Sequence, residues 1–524
     1  MRSSQTNDGT QSRLHIPPVW RRLGWTKQTA AAIRAALTFA VLCAVLLIAS
    51  RPVRAQTETT LYNFTGGSDG GYPSSSLISD GVGNFYGTTT LGGLPCPSNS
   101  RGCGTVFELS PDGNRGWNET VLYTFTGSPD GAVPEFAPVI FEAGNLYGTT
   151  SDGGAFSRGA VFELSPVGSN WAETVLYSFT GGAAGSHPEA GLIMDSAGNL
   201  YGTTSTYQDS GNVFELSPSD TGWTQQVIYA EPASGGLTMD AAGNIYGTTF
   251  STVFELSPHG NRGWNPTVLH TFIGYPQDGM DAQGTLVFDQ AGNLYGITYS
   301  GGAKNNGTVY KLKLGQNGQW TEEILHSFKS GKDGRQPWAG VVLDAAGNIY
   351  GTTALGGVFG PEHQGTVFEL LAPAAARDYT EKVLYSFYGP NGTNPYGIPA
   401  LDSAGNLYGT TALGGTNNSG VVFEVTPPVV TAAMLTSSPN PSTYGQAVTI
   451  SAVVTPAPPD GETISFTKGK TVLGTGSLSG GLASFVTSAL PRGTTRIAAL
   501  YGGDPRFSGS TSNTVKQIVK KATE

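Results

Sequence analysis

From residue 58 onward the apolar residues come in short bursts of four to six, separated by clusters of Gly, Asn, Asp, Ser and Pro. Bursts rich in Val, Ile, Leu, Phe and Tyr and bounded by turn formers predict β-strands joined by tight turns. The pattern has a period. Tyr-Gly-Thr-Thr or a near copy begins at Tyr86, Tyr147, Tyr201, Tyr246, Tyr295, Tyr350 and Tyr408, at steps of 45 to 61 residues. Each copy lies in a unit of four predicted strands, designated a to d. In the third unit these are Gly191–Asp195, Asn199–Thr204, Asn212–Leu216 and Gln226–Ala230. Strand c reads Val-Phe-Glu-Leu, which puts Phe and Leu on one face and Val and Glu on the other.

Four antiparallel strands per unit, repeated seven times, predict the blades of a β-propeller. An open solenoid would instead need polar capping repeats. The chain offers another way to finish its ends. The segment Leu61-Tyr62-Asn63-Phe64 resembles a d strand but precedes the first a strand, and the seventh unit stops at its c strand, Val422-Phe423-Glu424-Val425. The first segment can therefore complete the last blade and close the ring.

Several recurrent residues have structural roles in such a ring. Asp-x-x-Gly-Asn joins a to b at Asp195, Asp240, Asp289, Asp344 and Asp402, where a short carboxylate and a glycine suit a hairpin. The Gly after each Tyr sits inside strand b, and its recurrence points to close backbone approach near a crowded axis. Trp117, Trp171, Trp223, Trp264 and Trp320, with Tyr379 in the sixth unit, recur just before strand d and are expected to pack between blades. Glu108, Glu163, Glu215, Glu255, Glu369 and Glu424 share one slot on strand c, with Lys311 in its place in the fifth unit. That replacement argues against six glutamates converging on one metal.

Beyond Pro427-Pro428 the repeat stops. Residues 432–520 hold about seven short β runs, including Ala447–Thr455, Thr463–Thr467, Leu482–Ser488 and Arg496–Tyr501, which predict an Ig-like sandwich. The fold class is thus all-β, a seven-bladed propeller over residues 56–428 followed by an Ig-like sandwich over 429–524. At the other end Arg21, Arg22, Lys27 and Arg34 precede an apolar run, Ala35 to Ser50, and then Val53-Arg54-Ala55-Gln56. Basic, apolar and small-residue regions in that order predict an export segment over residues 1–55. The alternative is an uncleaved anchor, which would be the chain's one attachment to a membrane. The expected location is extracellular or the cell envelope.

Composition sharpens this picture. The 75 Gly and 32 Pro would suggest low complexity without a period, but 10% of the chain is aromatic and the period assigns the glycines to turns. The net charge of −10 is unevenly spread, because both ends are basic and the repeats carry the acid excess. An acidic ring repels phosphate backbones, so nucleic acid is excluded as a partner. After an export segment is removed, Cys96 and Cys103 remain, close enough to close a disulfide in an oxidising compartment. Free thiols are the alternative.

The repeat Gly-Asn-Leu-Tyr-Gly-Thr-Thr…Gly-Gly…Gly-Thr-Val-Phe-Glu-Leu-Ser-Pro resembles the GloVer-type tandem repeat of bacterial "choice-of-anchor" surface proteins, over about residues 58–427. The resemblance implies an exported protein and carries no assigned activity. The strand order is also similar to that of NHL-repeat propellers. Pro439-Asn-Pro-Ser-Thr-Tyr-Gly445 and Ala499-Leu-Tyr-Gly-Gly-Asp504 resemble the bacterial group-3 Ig-like domain, a spacer or adhesive module.

A function is expected on the rim built by the d–a and b–c loops, since the b–c loops vary widely in length while the a–b turns hardly change. Asp69, Asp130, Asp278 and Asp333 recur there in Asp-Gly steps; turn formation accounts for them, and a cation-binding or base-binding carboxylate ring is the sharper alternative. Phe136, Trp338 and Tyr396 follow Pro134, Pro337 and Pro395 on entering strand a, and are candidates to stack on a glycan. Six scattered histidines show no metal spacing, and there is no Gly-x-Ser-x-Gly or phosphate loop. No metal, cofactor or catalytic residue is expected. The reading is a non-enzymatic surface or secreted protein that binds a glycan or a surface protein. A propeller-type carbohydrate hydrolase or lyase, using a pair such as Asp130 and Asp333, and a structural envelope spacer are the alternatives.

Overall fold

The computed structural model describes residues 58–522 except 94, 97–99, 115, 136–139, 143, 189, 206–210, 234, 261–262, 317, 359–363, 374–377, 427 and 505–506. The expected export segment lies outside the described residues, and among those described no helix is long and apolar enough to cross a membrane.

Each repeat unit forms one four-stranded antiparallel sheet in the order a-b-c-d, and there are seven such sheets. In the third unit the strands are Ile193–Met194, Leu200–Thr203, Val213–Ser219 and Gly222–Tyr229. Strand a is shorter than its sequence suggests. Strands c and d are longer, because pairing runs on through Ser-Pro. Trp223 therefore lies within strand d, opposite Pro218, rather than ahead of it. Its role between units is as expected: Trp117 meets Tyr408, and Trp264 meets Tyr201, at ring separations of 6.2 and 5.8 Å.

The seventh sheet contains Ala400–Leu401, Leu407–Thr411 and Val421–Val425, and its fourth strand is Glu58–Asn63 from the start of the described chain. Tyr62 pairs with Val422 and Asn63 with Val421. Every neighbouring pair of sheets shares an apolar cluster. The closing one places Phe64, Tyr408 and Val422 of the seventh sheet against Leu77, Phe85, Phe107 and Leu109 of the first. The ring is closed.

The a edges crowd together. Thr285 bridges Gly340, the Ile398 N–H donates to Ser76 Oγ, and Thr410 Oγ1 donates to the Ser75 carbonyl. Strand d alternates exposed and half-buried residues, so the a edges face the axis and the d edges face outward.

Recurrent polar residues hold each sheet. Asp195 accepts hydrogen bonds from the Ala197 and Asn199 N–H groups, from Asn199 Nδ2 and from Tyr201 Oη, at 2.8 to 3.0 Å. Burial pushes its carboxyl up, but these donors outweigh it and hold the group below the usual range. The motif Tyr faces the strand-c Glu directly across the sheet, and Tyr350 donates to Glu369 at 3.0 Å. In the fifth unit Lys311 turns to Asp289 at 3.6 Å and lies over the Tyr295 ring. The strand-b glycine is explained differently from the expectation. It does not mark backbone crowding at the axis; the tip of the strand-c aromatic ring reaches over it. A Cβ on Gly202 would stand 2.6 Å from Phe214 Cζ.

Residues 432–520 form a second structure of two sheets. One holds Ala432–Ser438, Val448–Thr455 and Leu482–Thr487; the other includes Thr463–Lys468, Gly493–Tyr501 and Val515–Lys520. Their inner faces enclose Leu435, Ile450, Val454, Phe466, Ile497 and Tyr501. This sandwich holds its core by packing alone, with no cysteine in the segment.

Candidate functional site

The loop from strand d to the next strand a is anchored by a proline. Pro337 and Pro395 seat against Gly307 and Gly365, the residues that precede strand c of the preceding unit. A Cβ at those glycines would come within 2.7 and 2.4 Å of the ring Cδ. The residue before each proline, Gln336 or Asn394, takes φ near 57°. This left-handed step turns the chain inward, so the residue after the proline enters the mouth at the a edge.

Those residues are Trp338 and Tyr396, and they touch edge to face at 5.6 Å and 68°. Two tyrosines that the sequence reading passed over extend the row. Tyr299, in the b–c loop of the fifth unit, meets Trp338 at 5.1 Å and 88°. Tyr72, before Pro73, shares a side-chain hydrogen bond with Tyr396. All four are half-buried. The row therefore spans the fifth, sixth, seventh and first units and joins b–c to d–a loops, as the shared-rim argument requires. Both signals were present in sequence: Tyr72 occupies the residue-before-proline slot, and Tyr299, like Phe250 of the fourth unit, is aromatic where the remaining units carry Thr, Ser or Ala. Phe136 lies outside the described residues.

Charge enters at one end, where Glu135 and Arg101 both act on Tyr72. Burial, followed by the neighbouring Tyr72 phenol, pushes Tyr396 up to about 12, and burial raises Tyr72 as well. Both phenols stay neutral at physiological pH and keep their hydroxyl protons. The row offers flat apolar faces with a few neutral hydroxyls.

The four aspartates do not join it. Asp130 accepts from Thr126 N–H and Oγ1 at 2.9 Å and from Tyr123 Oη at 3.0 Å, so it faces back onto strand d of its own sheet. Asp69 is held in the same way by Thr65 and Tyr62, and Asp278 by the Ile273 N–H. Asp333 accepts from the Lys329 N–H and shares a hydrogen bond with His326. Each also faces a glutamate on strand d of the following unit, in the pairs Asp69–Glu119, Asp130–Glu173, Asp278–Glu322 and Asp333–Glu381. Burial first, then the adjacent aspartate, pushes each of those glutamates up to about 7. These carboxylates line the outer seams between blades and form no ring at the mouth. The turn-forming role explains them. One seam gathers possible metal ligands, His270, Asp278 and Glu322, whose ligand atoms lie within 4.8 Å of one another.

Cys96 and Cys103 form a disulfide with Cα atoms 5.8 Å apart. It ties the longest b–c loop into the apolar cluster shared by the first and second units.

Residues 96–251 and 233–455 match the family model of the Gloeobacter/Verrucomicrobia repeat, and residues 435–520 match that of the bacterial Ig-like domain (group 3). No curated protein matches the chain. Many solved structures align, three of them as follows, each at 12% identity. An extracellular domain assigned to a hybrid two-component system of Bacteroides thetaiotaomicron aligns over 90% of this chain at a TM-score of 0.41, and the chain spans 59% of that domain's length. The endo-arabinase of B. thetaiotaomicron VPI-5482 aligns over 47% of this chain and 91% of its own, with a TM-score of 0.26. The α-L-arabinofuranosidase of Clostridium thermocellum ATCC 27405 aligns over 48% and 92%, with a TM-score of 0.27.

Proposed function

The chain belongs to the Gloeobacter/Verrucomicrobia repeat family, and from that premise we propose that it is an exported binding protein that recognises glycans at the mouth of its ring. One observation carries this reading. Tyr72, Tyr299, Trp338 and Tyr396, drawn from four units, form a continuous half-buried aromatic surface. The C–H faces of pyranose rings stack on such surfaces, and neutral phenols complement sugar hydroxyls. The row sits on loops held by a rigid scaffold, where recognition is commonly built. An oxidising location is supported by the Cys96–Cys103 disulfide.

A non-enzymatic role fits the carboxylates. Asp130 and Asp333 belong to different seams, each engaged by its own loop. The raised glutamates recur at four seams, as a repeated structural pairing would produce. The test is a glycan array probed with the full chain and with a Trp338→Ala, Tyr396→Ala double variant. Binding by the wild type and its loss in the variant, with an unchanged melting temperature, is expected. Undiminished binding by the variant would exclude the aromatic row. No glycan bound by either protein would favour the spacer reading, and release of reducing sugar from an arrayed glycan would favour the hydrolase.

A further inference from the structure

Seams between blades repeat one arrangement: an aromatic side chain near the end of strand d, an Asp-Gly turn after it, and a carboxyl on strand d of the next unit. The aromatic is Tyr62 or Tyr123 at two seams and histidine at two others, His270 and His326. The two histidine seams differ. His326 Nε2 and Asp333 Oδ1 share a hydrogen bond of 3.1 Å, which satisfies that ring. At the seam between the fourth and fifth units, His270 Nε2 stands 3.4 Å from Asp278 Oδ2 without a hydrogen bond. Glu322 Oε1 is buried beside it without a partner, as are Glu119, Glu173 and Glu381 Oε1 at the other seams, so the imidazole and the Tyr310 hydroxyl are what set this seam apart. The Asp278 side chain is 7% exposed. The hydroxyl of Tyr310 replaces the Phe of the other units; it is fully buried, lacks a partner and interacts with the charge of both carboxylates. Buried polar atoms are rarely left unmatched, and several around one point call for a missing partner.

We propose that His270, Asp278 and Glu322 bind one divalent transition-metal ion, with Zn2+ the best match, and that this ion clamps the fourth blade to the fifth. Their ligand atoms lie within 4.8 Å of one another. Zn–N and Zn–O bonds of about 2.0–2.2 Å would draw them together by roughly 1 Å, within the reach of side-chain rotation. One imidazole and two carboxylates suit a borderline ion; Ca2+ prefers six to eight oxygens, and Mg2+ keeps most of its waters. A dication also neutralises the two carboxylates. His270 lies edge-on to Phe272 at 4.7 Å, which fixes the ring plane. Asp278 and His270 come from one blade and Glu322 from the next, with His270 on strand d Gly263–Thr271 and Glu322 on strand d Trp320–Ser327. Binding would therefore stabilise the ring.

The test uses the untagged full chain, stripped with chelator and titrated with Zn2+ by calorimetry and with Co2+ by visible absorption. One ion per chain and a rise in melting temperature with Zn2+ are expected. His270→Tyr installs the residue that Tyr62 and Tyr123 already supply at equivalent seams, and Glu322→Gln copies Gln225 of the third unit. Either substitution should weaken Zn2+ by roughly 100-fold or more, since each removes a direct ligand where even outer partners matter 10–100-fold. His326→Tyr should leave it unchanged. Absence of a stoichiometric site, binding that survives both His270→Tyr and Glu322→Gln, or equal loss in His326→Tyr would overturn the proposal.

Discussion

Replacing Gly202 with Ala tests why a glycine interrupts strand b of every unit. Gly202 pairs across the sheet with Phe214, whose ring lies over it. The added methyl would stand 2.6 Å from Phe214 Cζ and 2.9 Å from Leu192 Cδ2, about 1 Å inside ordinary contact. Phe214 cannot retreat easily, because it is fully buried and packs edge to face on Phe179 at 5.1 Å. Overpacking of this kind costs about 1–3 kcal/mol. Lower unfolded-state entropy returns about 0.4–1 kcal/mol, which leaves a net loss of about 1–2 kcal/mol. With unfolding entropy of about 2.1 cal/mol/K per residue over roughly 370 residues of ring, that lowers the melting temperature by about 1–3 °C. Calorimetry on Gly202→Ala, Phe214→Leu and the double variant gives the assay. Phe214→Leu alone opens a void and destabilises, but combined with Gly202→Ala it makes room for the methyl. A favourable coupling of about 1 kcal/mol or more is therefore expected between the two. Strict additivity, or a stabilising Gly202→Ala, would refute the claim that the ring of Phe214 selects glycine there.

Two further outcomes follow from the seams and the loops. Glu119, Glu173, Glu322 and Glu381 sit at about 7 in the fold against an ordinary 4.5, so the folded state binds their protons more tightly. Their contribution is intact below pH 4.5 and is lost as pH rises to 7. Each full shift is worth about 3 kcal/mol, cut by solvent screening at these part-exposed sites to about 1 kcal/mol or less. The melting temperature, measured with chelator present, should fall from pH 5 to pH 8, and Glu173→Gln should flatten that slope; an unchanged slope in the variant would refute the assignment. Reducing the Cys96–Cys103 bridge, which spans a sequence separation of seven, should cost about 2–3 kcal/mol by loop entropy. Calorimetry with and without a thiol reductant checks this, with a Cys96→Ser, Cys103→Ser variant that should not respond.

Much of this protein can be read from local sequence, because its repeat is a local pattern. Tyr-Gly-Thr-Thr and Val-Phe-Glu-Leu recur with turn residues between them, and alternation fixes which side chains face the neighbouring sheet. The offset of Leu61–Phe64 was enough to predict closure, since a d strand without a sheet and a sheet without a d strand leave one solution. Side-chain roles across units were harder to read. The strand-b glycine looked like a backbone effect; the relevant partner, Phe214, lies on a separate strand and covers it only once the sheet pairs. Asp69, Asp130, Asp278 and Asp333 share a sequence slot with the mouth loops, yet hydrogen bonds from their own loops turn them to the outer seams. Trp338 and Tyr396 could be nominated by the prolines ahead of them. Tyr72 joined them only through ring closure, which brings the first unit against the seventh, and Tyr299 through the packing of the fifth unit against the sixth. The histidines show the limit most plainly. His270 and His326 occupy equivalent positions in sequence, and a few tenths of an ångström in the packing of their seams leaves one hydrogen-bonded to its aspartate and the other, beside the Tyr310 hydroxyl, without a hydrogen bond.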